Sequence, residues 1–297
     1  MKIFILVYNP LSGDAGFKNR LDKVIGYLKA HQCLVLPLRT DRKEDTLELA
    51  VVARIVAADG ILVAGGDGTL HEVINVMLNA GIDLPVGIIP SGTCNDFATN
   101  LKISSDLEEC LRLIIKGTTR SVDMGKVNDS YFLNVASAGL FTSVAHNTET
   151  PLKNSLGRIA YYIGGLGQLP NFNSYQAKIV ADGQLIEEEI LLFLVMNSGM
   201  VGSFPRLAPL ARVDDGKLDV IIVSKCSIAE LMGLFVAILA GNHINRRYIT
   251  YLQAASLHIE CDANIESDLD GEPGPRLPLT IETVSKAVRF FAEVNSN

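Results

Sequence analysis

Ile61-Leu62-Val63-Ala64-Gly65-Gly66-Asp67-Gly68-Thr69-Leu70-His71-Glu72 decides how this 297-residue chain is read. An apolar run meets glycines interrupted by one aspartate, and a helical pattern then begins. A continuous apolar run of this kind reads as a strand buried on both faces, as in a parallel sheet covered by helices. Glycines let the backbone approach a phosphate with no Cβ in the way, and amides at a helix start offer it donors. Asp67 would repel a bare phosphate, yet it suits one that shares a Mg²⁺ ion, directly or through water. The competing reading is a tight turn carrying a solvated aspartate. Thr69 and Glu72 stand at capping-box spacing.

The same design recurs in a second segment. Val86-Gly87-Ile88-Ile89-Pro90-Ser91-Gly92-Thr93-Cys94-Asn95-Asp96-Phe97-Ala98 is again a strand, a glycine turn and a possible cap, Thr93-x-x-Asp96. Thr93 can hydrogen-bond a phosphate and Asp96 can join a metal site; capping alone is the equal alternative for Asp96. The first apolar run ends in Asn9-Pro10-Leu11-Ser12-Gly13, where Ser12 and backbone amides can hold phosphate or simply turn the chain. Buried strands are expected at Ile3–Tyr8, Leu34–Leu38, Ile61–Ala64 and Val86–Ile89. Phe17, Leu21, Val24, Ile25 and Leu28 mark one helix, and Leu70, Val73, Ile74, Met77 and Leu78 another, closed by Gly81. Ligands of such sheets gather at the carboxyl ends of the strands.

After Asp123 the texture becomes β-rich, with runs at Tyr131–Ala136, Tyr175–Ala181, Ile190–Met196 and Leu218–Val223. Asp182-Gly183 is a hairpin signal. Only Ser155–Gly167 and Ile228–Gly241 look helical there. The expected organisation is an α/β domain over residues 1–123, completed by 285–297 if Ala287–Val294 returns as an edge strand, and a mainly antiparallel β domain over 124–284. In that second part, Val213-Asp214-Asp215-Gly216-Lys217 and Leu269-Asp270-Gly271-Glu272 are turn signals first. Asp270 or Glu272 can also serve as the proton acceptor that hydroxyl phosphorylation needs.

A net charge of −7 argues against a nucleic-acid binder and against a polybasic membrane anchor. Arg246-Arg247 can make a local membrane contact, although a solvated pair is the plainer reading. Five scattered cysteines, with no C-x-x-C, suit a reducing cytosol. The opening apolar run is too short for a signal peptide, and Leu231–Ala240 is about half the length of a membrane span. Hydrolase and P-loop motifs are absent, and the histidines show no metal-ligand spacing.

Taken together, Gly65-Gly66-Asp67-Gly68-Thr69, Gly92-Thr93-Cys94-Asn95-Asp96-Phe97-Ala98, Asn9-Pro10-Leu11-Ser12-Gly13 and the late Asp270-Gly271-Glu272 resemble the diacylglycerol kinase and sphingosine kinase family, and within it the bacterial lipid kinases. The resemblance spans essentially the whole chain. It implies an α/β nucleotide-binding domain, a C-terminal antiparallel β-sandwich, and transfer of the ATP γ-phosphoryl group to a lipid hydroxyl, with diacylglycerol the leading acceptor. Nucleotide contacts would fall on Asn9, Pro10, Ser12, Gly13, Thr40, Gly65, Gly66, Asp67, Gly68, Thr69, Leu70, His71, Glu72 and Thr93. Asp67 and Asp96 would organise the catalytic Mg²⁺ through water, and Glu272 would accept the proton beside Asp270. A structural Mg²⁺ would sit on the Asp215 side chain and main-chain oxygens of Arg212 and Lys217. His71 and Cys94 depart from the family pattern. Leu140, Phe141, Leu166 and Phe204 are candidates for an acyl pocket, with core packing the plainer reading. The implied setting is cytoplasmic, reaching the inner membrane face by peripheral contact, with a homodimer as a further expectation. An NAD kinase-like enzyme, which shares the G-G-D-G segment, and a non-catalytic nucleotide or lipid sensor are the alternatives.

Overall fold

The computed structural model describes residues 1–10, 12, 17–140, 173–202, 204 and 206–293. The expected helix Ser155–Gly167, the phosphate-loop residue Gly13 and the acyl-pocket candidates Phe141 and Leu166 lie outside them. The chain divides into two compact units, Met1–Asp123 with Ser285–Asn297, and Met124–Val284.

In the first unit, β1 (Lys2–Tyr8), β2 (Cys33–Arg39), β3 (Gly60–Gly65) and β4 (Val86–Pro90) alternate with helices α1 (Leu21–Ala30), α2 (Glu48–Ile55), α3 (Asp67–Ala80), α4 (Asp96–Asn100) and α5 (Leu107–Lys116). The strands pair in parallel in the order β4-β3-β1-β2. Phe4, Leu6, Leu62 and Ile89 pack with Phe17, Val24 and Leu28 of the first helical stripe. The ends of α3 and α5 follow local chemistry: Gly81 and Gly117 take left-handed conformations that close them, and Asp106 caps α5 through the Glu109 amide. One expectation fails. Leu34–Leu38 lies in the outermost strand, so Leu34 and Leu36 are exposed rather than buried on both faces.

The second unit continues with β5 (Thr119–Val127), which begins in the first, then β6 (Ser130–Phe132), β7 (Val135–Gly139), β8 (Tyr175–Ala181) and β9 (Gln184–Met196). After it come β10 (Leu218–Ser224), α6 (Ile228–Leu239), β11 (Ile249–Ala254), β12 (Ser256–Cys261), β13 (Glu266–Leu269), β14 (Glu272–Arg276) and β15 (Leu279–Phe291). The second unit's strand pairs are antiparallel. The long strand β9 makes the sandwich. Its first half pairs with β8, and its second half lies between β7 and β10. Ala138, Phe193, Val195 and Val220 therefore share one core with Ile179, Leu257, Ile259 and Ile281. Asp182 and Gly183, both with positive φ, close the β8–β9 hairpin as expected.

Tertiary packing overrides pattern elsewhere in this unit. Leu218–Val223 is buried throughout because α6 covers the side of β10 facing away from the sandwich core: Ile221 and Val223 pack with Leu231 and Leu234. The run Tyr131–Ala136 is broken at Leu133 and Asn134 into β6 and β7. The terminal run does return to the first unit, but not as an edge: β15 lies against β4 in parallel and also pairs with β5.

Candidate active site

Parallel pairing aligns the carboxyl ends of β1, β3 and β4: Tyr8 sits opposite Ala64, and Gly65 opposite Pro90. The loops leaving these strands are joined to the end of β3 by main-chain bonds, Asn9 N–H to Ala64 O at 3.2 Å and Ser91 N–H to Gly65 O at 2.9 Å. Thr40, buried after β2, donates through its amide (3.0 Å) and hydroxyl (3.3 Å) to Tyr8 O. Asn9, Ser12, Gly65, Gly66 and Gly92 are thus gathered on one edge.

Two glycines make that edge possible. A Cβ on Gly92 would lie 2.4 Å from Gly66 Cα, and one on Gly66 would lie 3.1 Å from Gly92 Cα and 3.7 Å from Ser12 Oγ. The two turns meet backbone to backbone, with no room for a side chain between them. Asn95 holds the second turn shut, accepting from Gly92 N–H and donating to Gly92 O, each at 2.9 Å.

The capping expectations need correction. Helix α3 starts at Asp67, two residues before Thr69, with Gly66 as its cap and no side-chain cap bond. Thr69 packs over Gly65, where a Cβ would meet its side chain at 2.5 Å, and Glu72 accepts from Thr46 Oγ1 at 3.2 Å. Helix α4 is not capped by Thr93, which is exposed; its cap position is Asn95 in a left-handed conformation. The amides of Asp96 and Phe97 donate instead to the two carboxylate oxygens of Asp67, each at 3.1 Å. Asp67 therefore joins the two glycine motifs across 29 residues, an arrangement that local spacing does not reveal. Asp96 itself is buried. His71 is buried inside α3, its Nε2 at 3.4 Å from Asn75 Nδ2, and Leu70 belongs to the buried stripe.

In the second unit, Asp270-Gly271 is a tight hairpin turn, both residues at positive φ, joining Leu269 to the half-buried Glu272. The turn reading is correct, and Asp270 also does more. Its carboxylate accepts the amides of Leu133 (2.7 Å), Asn134 (2.8 Å) and Val135 (3.0 Å), at the break between β6 and β7. Around this break lie buried polar residues that sequence reading missed. Ser198 Oγ donates to Asn134 Oδ1 at 2.9 Å, and Asn197 Nδ2 donates to Leu133 O at 3.0 Å. The available signal was the polar Asn134 inside an apolar run.

Arg212, Asp215 and Lys217 share one turn, in which Asp215 Oδ1 accepts Lys217 N–H at 3.1 Å. Nearby, burial raises the Asp219 pKa and the charge of Asp215 adds to the shift; Tyr251 and Gln253 donate to its carboxylate. Hard oxygen donors of this kind fit a magnesium ion. Among the described residues, no three His, Cys, Asp or Glu side chains cluster to hold a metal, so main-chain oxygens would have to complete such a site.

The chain matches two family models, the diacylglycerol kinase catalytic domain over residues 3–127 and the YegS C-terminal NAD kinase beta sandwich-like domain over residues 134–292. It is 36% identical to a diacylglycerol kinase of Bacillus subtilis over 94% of this chain and 92% of that protein. It is 34% identical to a diacylglycerol kinase of Staphylococcus carnosus over 96% and 94%. A crystal structure of a diacylglycerol kinase from Bacillus anthracis superposes with a TM-score of 0.81 at 30% identity, covering 98% of this chain and 97% of that one. With both domains matched along their length, the chain belongs to the diacylglycerol kinase catalytic-domain family and is a lipid kinase.

Proposed function

We propose that this lipid kinase transfers the γ-phosphoryl group of ATP to the free hydroxyl of diacylglycerol, giving phosphatidic acid and ADP. The observation that carries the reading is the meeting of Gly66 and Gly92, backbone to backbone, with Asp67 clamping the second loop. Main-chain amides and the Ser12 hydroxyl on this edge would hold the phosphates, while Asn9, Pro10, Thr40 and Thr93 flank them. Leu70 and His71, buried in the first turns of α3, would support the loop from beneath and stand next to the nucleotide. Magnesium, when bound, would neutralise charge on the phosphate oxygens, and Asp67 and Asp96 are the carboxylates suited to orient its waters.

Glu272 would accept the hydroxyl proton as the acceptor oxygen bonds to phosphorus and the bond to the ADP oxygen breaks. Asp270, its carboxylate committed to amides, is a positioning residue for that hairpin. Positioning and preorganised electrostatics would supply most of the rate enhancement.

The test is phosphoryl transfer from labelled ATP to a panel of diacylglycerol, phosphatidylglycerol, a sphingoid base and NAD, with and without magnesium. Labelled phosphatidic acid, dependent on magnesium, is expected; product on NAD alone would establish the NAD kinase reading instead. The turn at Asp215 is proposed as the structural magnesium site, with Arg212 and Lys217 contributing main-chain oxygens. Magnesium should therefore raise the melting temperature of the wild type but not of Asp215→Ala. Equal shifts in both would remove the site.

A further inference from the structure

We infer that the outward arc of α6 is the surface on which this kinase docks to an anionic lipid bilayer. The inference rests on the lipid-kinase reading, because an acceptor held in a bilayer must be reached at its surface. A helix packed on a soluble domain ordinarily turns a polar face to water. At about 100° per residue, one side of α6 presents Ile228, Ala229, Gly233, Val236 and Leu239, with the half-buried Met232 among them packing back onto the sandwich. No charged or hydrogen-bonding side chain falls among them. Ile228 is 44% exposed, Val236 62% and Leu239 50%, while Leu231 and Leu234 on the other side anchor the helix to the sandwich and Phe235, buried at the margin, packs edge-on against Phe204.

The charges around this arc fit anionic headgroups. Glu230, the one acidic residue of α6, is held by the Ser227 amide and hydroxyl (both 2.8 Å) and by Tyr248 Oη (2.6 Å). The Arg247 guanidinium stacks over the Tyr248 ring at 4.9 Å, beside that carboxylate. At the carboxyl end, Arg206 Cδ lies 3.5 Å from where a Cβ would project from Gly241, and Arg246 and Arg247 are exposed on the loop that follows. An apolar patch with a basic rim is the composition that inserts shallowly into an anionic interface. On a chain of net charge −7, this local arrangement is what would overcome repulsion from the membrane.

The full chain would be sedimented with vesicles of phosphatidylcholine and phosphatidylglycerol in equal parts. Val236→Asp with Leu239→Asp should weaken binding about tenfold or more at an unchanged melting temperature. Turnover on diacylglycerol embedded in those vesicles should fall in parallel, with turnover on a short-chain, monomeric diacylglycerol unchanged. Because the chain has no tryptophan, Leu239→Trp provides a single reporter, whose emission should move to the blue when vesicles are added. Full vesicle binding by the doubly acidic variant would overturn the proposal. So would a reporter emission already blue without vesicles and dependent on protein concentration, the sign of a second copy on this face. A wild type that phosphorylates neither acceptor would refute the diacylglycerol reading, while sedimentation and fluorescence would still decide the docking surface.

Discussion

Glu272→Gln is expected to give a folded protein whose turnover is lower by about 10²–10⁴-fold, the usual contribution of a positioned general base. Glu272 opens β14 directly after the Asp270-Gly271 turn and pairs with Leu269, so its backbone position is set by a two-residue hairpin. Glutamine has the same length and shape and leaves that hairpin intact. It cannot accept a proton from the attacking hydroxyl. The loss should therefore appear in kcat, with KM for ATP and the melting temperature close to wild type. Wild-type turnover would show that another group takes the proton.

Asp270→Asn should act on stability instead, lowering it by about 2–4 kcal/mol through charge-assisted bonds and an unmatched donor. Asp270 Oδ1 accepts the Asn134 and Val135 amides and Oδ2 the Leu133 amide. Asparagine tolerates the left-handed backbone of this position, so the turn itself is not the weak point. One oxygen becomes an amino group, and with the remaining oxygen kept on Asn134 and Val135 that group confronts the Leu133 N–H, donor against donor. The break between β6 and β7 then loses its anchor, and the adjacent Asn134–Ser198 bond loosens with it. Chemical denaturation compared across wild type, Asp270→Asn and Glu272→Gln would separate the roles. A stability loss in the first variant alone is expected, and equal stability of all three would show that the carboxylate network contributes nothing.

How these residues came to light differs by the distance over which each interaction acts. The apolar runs, the glycine turns, the stripe ending at Gly81 and the Asp182-Gly183 hairpin were legible because period and turn chemistry operate over a few residues. The partner of Asp67 was not, since its carboxylate binds amides 29 and 30 residues away. Capping-box spacing at Thr69 and Thr93 misled for the same reason. Helix α3 begins at Asp67 with Gly66 as its cap and no side-chain cap bond, and at α4 the long-range bonds to Asp67 replace the local cap. The exposure of Leu34 and Leu36 and the full burial of β10 depend on strand order and on what covers each face, neither of which periodicity encodes.

The chain's own residues thus determined that there would be a parallel α/β unit, a β-rich second unit and a set of phosphate-type glycine loops, because hydrophobic period and glycine placement are local properties. Tertiary structure alone decided that two of those loops touch backbone to backbone, that Asp67 clamps them, and that Asp270 serves the Glu272 hairpin from a turn. Only packing determines which backbones approach closely enough to exclude a side chain. The same packing, by burying one side of α6, left an apolar arc facing outward.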